Sequence, residues 1–203
     1  RVYDGTQQAS LSGGVLSGLV GLETLNLDLS NQAGTFSDKN VGAGKVVTVT
    51  GATVADGTGL ASNYAFSNAT GVTANISKAT ISSVSNVGVN NKTYDGSMTA
   101  TLSGTAIFNG KAGADNLTVS SGNGSFVDKN AGAGKTVNVS NITLGGADAG
   151  NYLLDSTTSS GVADIAKATI SSVSNVGVDN KTYDGLRTAT LKGTASFDGI
   201  IGN

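Results

Sequence analysis

Cysteine, histidine, tryptophan and proline are all missing from these 203 residues. Without cysteine there can be no disulfides and no thiolate metal sites. Without histidine the chain lacks the commonest general base and the commonest transition-metal ligand. Charged residues are only 13% of the chain, against a usual quarter. The net charge of −2 is too small to argue for nucleic acid or an anionic lipid surface. No apolar run approaches the ~20 residues that cross a bilayer, so membrane insertion is not expected, and no signal-like segment opens the chain. Lack of cysteine suits a secreted bacterial protein and a cytosolic one equally, but richness in Ser, Thr, Asn and Gly with few charges leans towards an extracellular repeat.

What is plentiful is glycine, 30 residues, and internal repetition. Residues 78–96 return as residues 167–185 with one difference, Asn90 against Asp179. The triplet Tyr-Asp-Gly occurs three times, at Tyr3-Asp4-Gly5, Tyr94-Asp95-Gly96 and Tyr183-Asp184-Gly185. A basic residue stands two positions before each tyrosine: Arg1, Lys92 and Lys181. A second block, with Phe36, Asp38, Lys39 and Asn40, returns with Phe126, Asp128, Lys129 and Asn130. A third pairs Asn63-Tyr64 with Asn151-Tyr152. Blocks kept in one order at matching offsets define a tandem repeat of about 90 residues. Residues 1–77 then form a unit lacking its first strand, 78–166 a complete unit, and 167–203 the N-terminal part of a third, ending where Gly202-Asn203 align with Gly113-Ala114. This phase suggests a window from a longer array rather than units completed between chains.

The local pattern is β. Alternation is visible at Leu117/Val119, Val137/Val139, Tyr152/Leu154 and Ala163/Ile165, and in the first unit at Leu25/Leu27/Leu29 and Val47/Val49. No long stripe of helical period competes with it, and the glycine content opposes helix. Seven strands are expected in the complete unit, near 79–85, 98–108, 116–121, 124–128, 135–143, 150–155 and 161–166. Short strands at this spacing point to a sandwich or barrel. Residues 148–152, with Asp148 and Tyr152 in Asp-Ala-Gly-Asn-Tyr, look like the tyrosine corner of immunoglobulin-like sandwiches. The expected fold is therefore all-β, with tandem Ig-like β-sandwich units joined end to end as a rod; a small β-grasp-like unit is the alternative. From Val162 to Asn175 there is neither glycine nor proline, so the junction between units should be stiff rather than coil-like.

Each motif has a plain structural reading. Asp-Gly is a turn signal, because glycine accepts positive φ and the aspartate bonds nearby backbone, while the preceding tyrosine can pack inwards. The loop ending Gly-Ala-Gly-Lys-Thr at 132–136 tempts a phosphate-binding reading, but Lys129 stands where such a loop needs glycine and the following residues are strand-like. Reversal of the chain, with Gly42/Gly44 and Gly132/Gly134 supplying the dihedrals, is expected instead. Calcium would need several converging oxygens; Asp56, Asp115, Asp148 and Asp164 read as solvated turn carboxylates. Tyr3/Tyr94/Tyr183, Phe36/Phe126, Tyr64/Tyr152 and Phe108/Phe197 recur in register, as core positions do. No catalytic, cofactor or metal site is assigned, and no enzyme is expected. Several Asn-x-Ser/Thr sequons leave surface glycosylation open.

Taken together, Lys-x-Tyr-Asp-Gly, Thr-Ala-Thr-Leu-Ser-Gly, Phe-x-Asp-Lys-Asn-Ala-Gly-x-Gly-Lys, Gly-Ala-Asp-Ala-Gly-Asn-Tyr and Ala-x-Ile-x-x-Ala-Thr-Ile resemble the YDG-type repeats of large bacterial surface proteins. Such arrays are similar to the stalks of filamentous-haemagglutinin-like and biofilm-matrix adhesins. The resemblance implies secretion, a cell-surface or matrix location, and a spacing or cohesive role in adhesion or biofilm formation. The expected partners are neighbouring units of the same long chain, with other chains in a filament or bundle, and extracellular polysaccharide bound weakly and repeatedly, as the alternatives. It supplies no catalytic residue.

Overall fold

The computed structural model describes residues 1–201; Gly202 and Asn203, on which the end of the third repeat was placed, lie outside them. The fold is all-β, with no α-helix among the described residues. The chain divides into two compact units, each assembled from separate stretches of sequence. The first comprises Arg1–Ser82, Phe108–Leu117 and Gly145–Asp155; the second comprises Ser83–Ile107, Thr118–Leu144 and Ser156–Asn203.

In the first unit, four antiparallel strands run in the order Gln8–Ala9, Ala33–Phe36, Gly42–Thr50 and Thr73–Ile76. A separate ribbon pairs Leu25–Asp28 with Thr53–Asp56. A parallel pair joins Tyr152–Leu154 to Ala79–Ile81. Alternation does what the pattern requires: Phe36, Val47, Val49 and Ile76 are buried and their sequence neighbours are not. Burying one such side chain stabilises by about 1.5–3 kcal/mol.

In the second unit, five strands run in the order Thr99–Ala100, Thr118–Phe126, Gly132–Gly145, Ser159–Ala166 and Lys92–Thr93, with the last pairing parallel. Phe126, Val137, Val139, Ile142 and Ile165 form its buried face. The ribbon of Ser172–Ser174 with Ser196–Asp198 belongs to the same unit.

Four expectations change. The strand expected at 79–85 is two, Ala79–Ile81 and Ser83–Ser85, with different pairing partners. The strands expected at 116–121 and 124–128 are one, Thr118–Phe126. Gly122 and Gly124 do not break it; they admit a close neighbour, since a Cβ on Gly124 would lie 2.9 Å from the Ala100 carbonyl oxygen. The strand expected at 98–108 is split into Thr99–Ala100 and Ile107–Asn109, with Gly104 at φ +83° between them. In the Asp-Lys-Asn loops only the second glycine is left-handed, Gly44 at +60° and Gly134 at +59°. Gly42 and Gly132 instead stand where the register shifts, the mark of a bulge.

A buried carboxylate network and its repeated frame

The repeated motifs build the same local geometry each time they are complete. At each Tyr-Asp-Gly, the aspartate accepts the N–H two residues on: Asp4 from Thr6 at 2.8 Å, Asp95 from Ser97 at 2.9 Å and Asp184 from Leu186 at 2.9 Å. Gly5, Gly96 and Gly185 take φ of +80°, +78° and +77°, where a side chain is strained. The base two positions before the tyrosine closes the turn: Arg1 on Asp4, Lys92 on Asp95 and Lys181 on Asp184. The first two also lie over the ring of the second motif, Arg1 5.2 Å from the Phe36 centroid and Lys92 5.5 Å from that of Phe126. Lys92 holds the Asp95 carboxyl down at about 2.

The second block closes similarly. Asp38 accepts the Asn40 N–H at 2.8 Å and pairs with Lys45; Asp128 accepts that of Asn130 at 2.8 Å and pairs with Lys135. The left-handed glycine then donates across the sheet, Gly44 to Asn75 Oδ1 at 2.8 Å and Gly134 to Asp164 Oδ1 at 2.7 Å.

The third block, in the first unit, joins these to a carboxylate that the sequence reading placed in solvent. Asp115 is only 7% exposed. Its Oδ2 accepts the hydroxyls of Tyr3 at 2.6 Å and Tyr152 at 2.7 Å, and its Oδ1 accepts Lys39 Nζ at 2.7 Å. The two rings meet edge to face with centroids 5.4 Å apart. Lys39 also pairs with Asp148 at 3.1 Å. Asp148 caps the Asn116 N–H at 2.8 Å, so it too is engaged rather than solvated. Asn151 is buried, accepting from Val41 N–H at 3.0 Å and donating to Asn40 Oδ1 at 3.1 Å. Every buried polar side-chain atom among the described residues has a partner.

Burial alone would raise the Asp115 pKa, but the hydrogen bonds from Lys39, Tyr3 and Tyr152 outweigh it and hold the carboxyl below its ordinary value. Lys39 is driven upwards, first by its bond to Asp115. Burial, with the bond to Asp115, pushes Tyr152 up to about 12, and burial raises Tyr3. All four groups are thus locked in one protonation state across neutral pH.

The tyrosine-corner reading of 148–152 does not describe Tyr152. Ala149–Asn151 make a short 3₁₀ turn, and the hydroxyl accepts the N–H of Ala112 at 2.9 Å, far upstream, instead of returning to its own turn. The same arrangement recurs at Tyr64, which accepts the Val20 N–H at 3.1 Å and donates to Glu23. Glu23 and Asp115 each stand two residues before the first leucine of an alternating run; Asp115 reads from sequence as a solvated turn carboxylate, and Glu23 belongs to none of the repeated motifs. Their recurrence ahead of Tyr64 and Tyr152 was the available signal.

The third copy is different. Tyr183 is 94% exposed and Phe197 47% exposed, whereas Tyr3 is buried and the counterparts Tyr94 and Phe108 are half-buried. Among the described residues no group of three or more acid side chains is placed to hold a metal ion; in the Asp115 cluster the positive charge is Lys39.

The family model described as YDG domain matches residues 1–71 and 77–160. The chain belongs to the YDG domain family. No curated protein and no solved structure matched it.

Proposed function

We propose that this chain is a structural module of a secreted bacterial surface adhesin, located outside the cell and giving length and stiffness to a stalk or filament that serves adhesion or biofilm formation. The observation that carries this reading is that the repeated motif residues are engaged in structure. Tyr-Asp-Gly closes turns, Asp-Lys-Asn closes a second turn and bulge, and the Tyr3–Asp115–Tyr152–Lys39 cluster is a core. The motifs that recur most faithfully are therefore those that hold the chain in shape, as a spacer requires. The boundary between sequence repeats from Val162 to Asn175, without glycine or proline, supports repeats that follow one another as a stiff rod with no flexible linker. Solution scattering on chains of two, four and six units tests this: the maximum dimension should rise in proportion to unit number. Freely jointed beads would contradict it.

A repeated weak binder of matrix polysaccharide is the rival reading, and would act by avidity. Glycan binding by two-unit and six-unit chains separates the two. A spacer shows no steep rise with unit number; a repeated binder does.

A further inference from the structure

Two asparagines of this chain stand directly before glycine, Asn109 and Asn123. Such a pair carries its own chemistry. The glycine nitrogen, with no side chain beside it, attacks the asparagine Cγ. The Cγ–Nδ2 bond breaks and ammonia leaves, taking the proton given up by the glycine nitrogen, so a five-membered succinimide remains. Water, the sole co-reactant, then opens the ring to aspartate or, at its other carbonyl, to isoaspartate. Ring closure requires the asparagine to leave the extended backbone of a paired strand.

Both asparagines are exposed, so the backbone is what separates the two sites. Asn123 lies inside the strand Thr118–Phe126, which has a neighbouring strand on each side. Asn109 is the last residue of the short strand Ile107–Asn109, and Gly110 turns the chain away at φ +97°. The third repeat shows what the frame around Asn109 accepts. The repeat offset carries Ser82, Asn109 and Gly110 onto Ser171, Asp198 and Gly199. Ser82 N–H bonds the Asn109 carbonyl at 3.0 Å, as Ser171 N–H bonds that of Asp198 at 2.9 Å, and Gly199 takes φ of +98°. Asn109 Nδ2 donates to the Ser82 hydroxyl at 2.9 Å, whereas the Ser171 hydroxyl donates to Asp198 Oδ2 at 2.9 Å. The repeated serine thus serves amide and carboxylate alike, accepting from the first and donating to the second.

We infer that Asn109 is a site of spontaneous deamidation, and that the fold accepts the aspartate product as it holds Asp198. Fraying at the end of a short strand costs little, whereas opening the middle of a strand paired on both sides costs much more, so Asn123 is protected where Asn109 is not. In the product the Ser82 hydroxyl reverses and donates to the new carboxylate. Each event replaces a neutral amide with a carboxylate and adds one negative charge to a chain of net charge −2. The inference goes beyond the stalk reading and holds whether or not the array is a spacer.

The test incubates the 203-residue chain in warm, mildly alkaline heavy-oxygen water, so that each ring opening leaves an isotopic label. Peptide mass spectrometry then locates the label and tells aspartate from isoaspartate. In the folded chain, conversion at Asn109 should outrun that at Asn123 by about tenfold or more, because the two sites differ in the cost of local opening. In urea the two rates should converge. As a second measurement, the variant Asn109→Asp should unfold at the same urea midpoint as the parent, since Ser82 can donate to a carboxylate there. Equal rates in the folded chain, faster conversion at Asn123, or no conversion at Asn109 over a time in which the urea-unfolded chain converts would each overturn the inference. So would a clear loss of stability in Asn109→Asp.

Discussion

The hydroxyl of Tyr3 donates to the carboxylate of Asp115 at 2.6 Å, with both side chains buried and the two residues 112 positions apart in sequence. Tyr3 opens the motif of one repeat, and Asp115 belongs to the next. The contact therefore ties successive repeats into one compact unit, and its energetics are those of a buried charge that is stable only while all its partners are present.

Asp115→Ala should lose about 1–3 kcal/mol, because it removes the acceptor of two buried hydroxyls and leaves Lys39 with Asp148 as its one remaining carboxylate partner. Asp115→Asn keeps the volume and should lose less. Urea denaturation followed by circular dichroism measures both; an Asp115→Ala variant as stable as the parent would refute the network.

The pH dependence follows from the two shifts. The Asp115 carboxyl is depressed, so its contribution is complete above the ordinary carboxylate value and is lost as pH falls through its lower folded value. Tyr152 is raised to about 12, so its contribution is complete below about pH 10 and is lost as pH rises through about 12. Unfolding midpoints should be flat between these limits. Asp115→Asn should flatten the acid limb and Tyr152→Phe the alkaline one.

Glycine substitutions should separate close approach from mere turn preference. Gly110 has φ +97°, and a Cβ there would lie 2.5 Å from the Thr80 carbonyl oxygen, so Gly110→Ala should cost about 1–3 kcal/mol or more. A Cβ on Gly150 would meet nothing, so Gly150→Ala should be neutral or stabilising by up to about 1 kcal/mol. Thermal unfolding of the two variants reads the contrast.

The three turn ion pairs should be unequal. Lys92 donates to Asp95, to Ser97 and to the Thr99 carbonyl and lies over Phe126. Among the described residues Lys181 reaches Asp184 and the Leu186 carbonyl, and its side chain is more exposed than that of Lys92, 38% against 17%. Lys92→Ala should lower the melting temperature clearly and Lys181→Ala hardly at all, since exposed pairs contribute little.

The repeat, its motifs and the all-β class were legible because they are local: identity over residues 78–96 and 167–185, and alternation at Val137/Val139. The merged strand Thr118–Phe126 was not, because Gly122 and Gly124 look like turn residues unless the neighbour at Ala100 is known. Asp115 was not legible either. An aspartate between Ala and Asn reads as a solvated turn, and its partners Tyr3 and Lys39 lie in the preceding repeat. Pairing of Lys92–Thr93 beside Ile165–Ala166 escaped for the same reason: two residues carry no periodicity.

The most direct test of the central claim, that the motif residues of successive repeats form one structural network, is a double-mutant cycle between Tyr3→Phe and Asp115→Asn in urea denaturation of the 203-residue chain. A coupling energy of about 0.5–3 kcal/mol is expected for groups that share a buried hydrogen bond. Effects that simply add, within about 0.3 kcal/mol, would contradict the account.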